Sequence, residues 1–169
     1  MGFFSKLFSK QQSKPEIKER TPLSIEVGDI VVYDLGDYEV IGKITYRQGS
    51  YEWIAYQLLE GNNTLWLSAE MDDELELGIY KKIQLPIEGV FPKKLNYEGK
   101  VFYLDEEGEA RVVGEGRSKN INGMMMEYAE YCDDDEEQFI SLEYWGTEIE
   151  ASLGYSIEAY ELKIIAGSN

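Results

Sequence analysis

VGDIVVYDLGDYEVIGKITYRQGSYEWIAYQLLEGNNTLWLSAE, residues Val27–Glu70, reads as four short strands joined by tight turns. The apolar residues recur with period 2: Tyr38, Val40, Gly42, Ile44 and Tyr46 share one face, while Glu39, Lys43 and Thr45 share the other. Ile41 breaks the alternation, and Gly42 in mid-strand predicts a bend or bulge that lets a small sheet curl. Turns are expected at Leu35-Gly36-Asp37, Gln48-Gly49-Ser50 and Gly61-Asn62-Asn63. An acidic connection, Met71–Gly78, then leads to a fifth strand at Ile79–Ile83.

A second copy of this pattern follows. Gln84–Lys94 carries Pro86 and Pro92 and separates two stretches, 23–85 and 93–166. Glu98–Phe102 echoes Val27–Val31, Arg111–Gly114 echoes Glu39–Gly42, and Tyr128–Tyr131 echoes Trp53–Tyr56. Phe139–Glu143 echoes Trp66–Glu70, and Leu153–Tyr155 echoes Leu77–Ile79. Five echoes in one order predict an internal duplication. A few strands bury too little apolar area alone, so two copies should cover each other. The expected fold is all-β: two related SH3-like half-barrel units packed into one body, sealing a shared interior.

Residues 1–22 are of another kind. In MGFFSKLFSK, Phe3, Phe4, Leu7 and Phe8 fall on one face of a helix, with Lys6 and Lys10 on the rest. The proline-containing Gln11–Pro22 reads as a linker. A short basic amphipathic helix on a tether suits an anionic membrane surface or a partner protein, so Phe3, Phe4, Lys6, Leu7, Phe8 and Lys10 are the docking candidates. A disordered start is the alternative, because so short a helix is marginal in water. The apolar stretch is too short and too interrupted by lysine for a secretory signal. Lys6 stands where a myristoylation motif needs Ser or Thr.

Charge and composition narrow the function. Residues 1–20 hold five bases against two acids, net +3; the remainder holds eleven bases against thirty-one acids, net −20. Such a body repels phosphate backbones, which argues against nucleic acid; a solvated acidic surface is the first reading of the charge and attraction to a basic protein the second. No histidine is present, which removes Ser-His and Cys-His pairs and histidine metal sites. The lone Cys132 fits a reducing cytoplasm. No apolar run reaches the length of a membrane-spanning helix.

The segments Tyr38–Tyr46, Trp53–Tyr56 and Leu65–Leu67 resemble those of an uncharacterised bacterial group, domain-of-unknown-function family 4178. Its pattern is a Val-x-Gly strand, a Trp-x-Glu-aromatic strand and a Trp-Leu strand. The resemblance covers residues 24–83 well and 95–165 loosely. Ala55 departs from the usual Glu, whereas the second copy keeps Glu130 and places Tyr128 at the Trp position. The family implies no established activity; its members look like adaptors, often associated with envelope-stress proteins of the phage-shock type.

Trp53, Tyr56 and Trp66, with Tyr128, Glu130 and Tyr131, form the candidate binding surface; core packing is the first reading of these aromatics and a ligand groove the second. The run Asp133–Glu137 after Cys132 reads as a solvated hairpin loop before a cation site, since EF-hand spacing is absent. Of Met124–Met126, alternation turns at least one outward. Gly114-Glu115-Gly116 lacks the spacing of a nucleotide loop, and Glu127 and Glu130 face opposite sides of a strand. No cofactor and no catalytic set is expected. The reading is a cytoplasmic, non-catalytic binding or scaffold protein, peripheral to the inner membrane face. The alternative is an acidic neutraliser of a basic partner, an immunity protein or nucleic-acid mimic. Hydrolysis by Asp or Glu would gain ground only if carboxylates converged in a pocket.

Overall fold

The computed structural model describes residues 19–168. The fold is all-β, with eleven strands and two single-turn 3-10 helices among the described residues, the latter at Lys119–Ile121 and Ala159–Glu161. The first half supplies β1 (Ile30–Tyr33), β2 (Gly36–Gln48), β3 (Tyr51–Glu60), β4 (Asn63–Met71) and β5 (Leu75–Ile83). The second supplies β6 (Lys94–Tyr97), β7 (Lys100–Gly116), β8 (Met125–Cys132), β9 (Phe139–Tyr144), β10 (Ile149–Ile157) and β11 (Lys163–Ile165).

All neighbours pair antiparallel, in the order β11-β1-β2-β3-β4-β5-β10-β9-β8-β7-β6, and β2 also pairs with β7. That added pairing closes β2, β3, β4, β5, β10, β9, β8 and β7 into an eight-stranded barrel. Closure satisfies strand edges that an open sheet would leave unpaired. The expectation of two SH3-like half-barrel units packed into one body is therefore corrected: one continuous sheet runs through both halves. The halves are joined by hydrogen-bonded ladders, not by face-to-face packing. One seam centres on Lys43 opposite Glu115, flanked by Gly42 opposite Gly116 and Ile44 opposite Gly114. The other centres on Ile79 opposite Tyr155, flanked by Gly78 opposite Ser156 and Tyr80 opposite Gly154.

Both long strands serve two neighbourhoods. The first part of β2 pairs with β1 and its last part with β7. The register slips between Val40 and Gly42, so Val40 lies opposite Leu58 while Gly42 lies opposite Gln57. The bulge at Ile41 thus moves the even-numbered residues of β2 from a lateral core into the barrel. β7 slips likewise between Leu104 and Glu106, which pair with Tyr131 and Glu130.

Three apolar clusters result. Val31, Val40, Tyr56, Leu58, Leu67 and Ile79 belong to a core on the outer face of the first half. Phe102, Tyr131, Ile140 and Leu142 anchor its counterpart on the second, where Leu85, Ile87 and Phe91 from the proline-rich connection pack. Ile44, Tyr46, Val112, Met126 and Tyr128 form the third, within the barrel.

The turns follow local chemistry. The first hairpin turns at Asp34 and Leu35, both at positive φ (44° and 66°), one step before the expected Leu35–Asp37. A two-residue connection with both centres left-handed matches the strand twist, and Gly36 is thereby freed to begin β2. Gly114 is held by close approach: a Cβ there would collide with the Ser118 carbonyl oxygen. It lies inside β7, where no phosphate loop could form.

Candidate functional site: the barrel interior

On β4, Leu65, Leu67 and Ala69 point into the first lateral core, and Trp66, Ser68 and Glu70 point into the barrel. On β9, Ile140 and Leu142 point into the second core, and Phe139, Ser141 and Glu143 point inward. Period-2 alternation thus gives β4 and β9 one apolar face and one mixed face. The mixed faces line a cavity of about 560 Å³ that is partly open to solvent.

Its walls combine aromatic rings and carboxyl groups. Trp53, Trp66 and Trp145, all three tryptophans of the chain, line it. Trp53 stacks on Tyr46 with ring centroids 5.0 Å apart and planes 3° from parallel, and meets the edge of Tyr128 at 5.3 Å. The Tyr128 hydroxyl lies 2.6 Å from Gln48 Oε1 and 3.1 Å from Glu106 Oε1. Glu130 accepts a hydrogen bond from Ser141 Oγ at 2.7 Å, and Glu143 accepts one from the Tyr46 hydroxyl at 2.9 Å.

These carboxyls hold their protons unusually well. Desolvation pushes Glu130 up to about 8; the Ser141 hydroxyl opposes the shift, and the charges of Glu143, Glu106 and Glu70 add to it. Desolvation likewise lifts Glu143 to about 7, against the Tyr46 hydrogen bond and with the Glu150 charge. Glu70 reaches about 7 through desolvation and the nearby charges of Glu76, Glu106 and Asp72. Near neutral pH the cavity therefore carries exchangeable protons. Cationic side chains are scarce in the wall: Lys82 is paired with Glu150 at 3.3 Å, and Arg117 is exposed.

The sequence candidates divide by strand parity. Trp53, Trp66, Tyr128 and Glu130 share the cavity. Tyr56 and Tyr131 point the opposite way and are fully buried in the lateral cores, where the Tyr131 hydroxyl donates to the Pro92 carbonyl at 2.6 Å. Ala55 also faces the cavity, so the carboxylate at this position comes from Glu130 alone. Glu127 is exposed. Glu70, Glu143 and Tyr46 were not singled out. The signal was the shared aromatic-x-Ser-x-Glu alternation of Trp66–Glu70 and Phe139–Glu143.

The acidic run after Cys132 is a hairpin organised by a buried Asp133. Its Oδ1 accepts the backbone N–H groups of Glu137 (2.9 Å) and Gln138 (3.2 Å), and its Oδ2 accepts from Lys100 Nζ at 3.2 Å. Burial alone would raise this carboxyl, but those N–H groups and Lys100 hold it below its ordinary range. Among the described residues no group of His, Cys, Asp or Glu could hold a metal ion. Met125 faces outward, half exposed, and Met126 is buried. Phe3, Phe4, Lys6, Leu7, Phe8 and Lys10 lie outside the described residues, as does the expected amphipathic helix. Among the described residues no helix is long and apolar enough to cross a membrane.

Comparison with known proteins places the chain. Residues 26–159 match the family described as Domain of unknown function (DUF4178). The chain belongs to that family. An uncharacterized protein of Mycobacterium bovis and one of Mycobacterium tuberculosis H37Rv are each 31% identical to it over 152 residues, covering 85% of this chain and 72% of theirs. No solved structure matches. The DUF4178 match spans the barrel from the turn before β1 to the last 3-10 helix, so the cavity-lining strands all fall within it.

Proposed function

We propose that this DUF4178 protein is a non-catalytic binding protein whose closed barrel is the receptacle for a small ligand. The cavity in the barrel carries the reading. Eight-stranded barrels have interiors that side chains just fill or that admit one small ligand, and about 560 Å³ falls in the range of ligand sites. Aromatic walls with a few placed polar groups are the usual make-up of such sites. The matching seams and the matching cavity positions of Glu70 and Glu143 support an internal duplication that built the receptacle from two halves. Thermal unfolding of the full chain against a panel of small cations, anions and neutral amphiphiles tests this. A concentration-dependent rise in Tm for one class is expected, and no shift across the panel would overturn it.

The first ten residues would hold this receptacle at an anionic membrane surface. Flotation on anionic vesicles should be lost when residues 1–10 are deleted; equal binding by both forms would remove this part.

A second reading has its own support. Glu70, Glu130 and Glu143 share one cavity, and a carboxyl raised to about 8 is suited to general acid work. Against it stand the hydrogen bonds that occupy Glu130 and Glu143, and a wall without histidine. A substrate turned over by the native chain but only bound by Glu130→Gln would favour catalysis.

A further inference from the structure

Building on the receptacle reading, we propose that the ligand is an organic ammonium ion, a linear amine with more than one charge. Its nitrogens would pair with Glu70, Glu130 and Glu143, and its methylenes would lie against Trp53 and Trp66.

Three observations select this chemistry. The cavity wall places carboxyls on separate strands, Glu70 on β4, Glu130 on β8 and Glu143 on β9. Among the described residues no set of them converges tightly enough for a metal ion, which needs six to eight oxygens around one point (roughly, for calcium). Charges spread along a cavity instead fit a ligand whose own charges are spread. Second, the surfaces between these carboxyls are aromatic faces, the stacked Tyr46–Trp53 pair and Trp66 among them. Ring faces attract ammonium groups and cover methylene chains, and a desolvated site strengthens both effects. Third, the wall offers an anion almost nothing: Lys82 is already paired with Glu150, and Arg117 is exposed.

Glu70 is the member with the least support from its neighbours: burial and the like charges of Glu76, Glu106 and Asp72 act on it, whereas Glu130 has the Ser141 hydroxyl and Glu143 the Tyr46 hydroxyl. An ammonium beside it would supply the missing donor. A neutral ligand would leave it as it is. Cation entry must also be coupled to protons. A positive charge placed among carboxyls that retain protons near neutrality draws those protons off, so binding should release them to solvent.

The test uses the full chain and spermidine, with the neutral 1,8-octanediol and Mg²⁺ as comparators, at moderate ionic strength so that the acidic exterior is screened. Because all three tryptophans line the cavity, intrinsic fluorescence reads occupancy directly. Spermidine is expected to give a saturable fluorescence change, weakened about tenfold or more by Glu130→Gln with Glu143→Gln, while octanediol and Mg²⁺ give none. Calorimetry in two buffers of different ionisation heat should show proton release that shrinks in the double variant. The melting temperature of each variant confirms that it is folded, and Trp53→Leu supplies a second, carboxyl-independent variant that should also weaken binding. Saturable binding of octanediol without spermidine would overturn the ammonium assignment and leave the receptacle standing. No response to any of the three, with the wider panel also silent, would overturn both. Spermidine binding unchanged in the double variant would assign it to the exterior and overturn the proposal.

Discussion

The Tyr46 hydroxyl donates to Glu143 Oε1 at 2.9 Å, joining β2 of the first half to β9 of the second, although the residues lie 97 positions apart. The bond crosses the barrel interior and ties a ring already stacked on Trp53 to a carboxyl that burial pushes up.

Tyr46→Phe keeps the stack and removes the donor. Glu143 then loses the largest of the contacts that oppose its desolvation, with Lys82 and Trp145 remaining, so its pKa should rise further above about 7. The loss should be on the order of 1 kcal/mol at pH 8, where the carboxyl is ionised, and smaller at pH 5.5, where it is protonated in either form. Chemical denaturation at the two pH values measures the difference.

Stability of the unliganded protein should fall as pH rises from about 5 to 8 and level off above that. Glu130, Glu143 and Glu70 have folded pKa values above their unfolded ones, so the folded state binds more protons in this window and unfolding becomes easier with pH. The contribution is fully present below the unfolded value near 4.5 and lost through about 7 to 8. Glu130→Gln cannot ionise, so it should flatten the slope and stabilise the protein at pH 9 by about 1–2 kcal/mol after a discount for solvent screening. A melting series from pH 5 to 9 shows the slope and its loss.

Asp29 is nearly inaccessible and gathers three attachments. Arg20 Nε lies 2.9 Å from Oδ2, and the backbone N–H groups of Glu26 and Gly167 donate to its carboxylate at 2.8 Å each. Asp29→Ala would strand those donors, at a cost of about 3 kcal/mol. Hydrogen exchange should accelerate in β1 and β11, which pair with each other beside these contacts, before it does in the barrel strands.

Gly114→Ala should destabilise by about 2 kcal/mol, because the new methyl group meets the Ser118 carbonyl and a strand backbone must move to admit it. Gly49→Ala, at a positive φ of 61° with no neighbour within 4 Å, should cost about 1 kcal/mol through backbone strain alone. Comparing the two melting temperatures separates close approach from conformational freedom.

Alternation made the strands legible. The alternation over Tyr38–Tyr46 falls on β2, and the irregularity expected near Gly42 is the slip between Val40 and Gly42. Period 2 tells which residues share a face but not what the face meets, and here it misled. Trp53 and Trp66 read as core because aromatic strands usually are. The opposite faces, with Tyr56, Leu58 and Leu67, already form a core, which frees the tryptophan faces to line a cavity. Barrel closure was equally hidden. The pairing of β2 with β7 joins residues about 70 apart, and nothing local in either strand specifies its partner.

The sheet starts at β11, three residues long, and finishes at β6, four residues long. So short a margin gives an incoming chain few amide groups on which to zip, and the longer strands spend theirs on neighbours within the molecule. Concentrated solutions should accordingly resist the edge-to-edge association that threatens open sheets, even where a raised pH has loosened the interior.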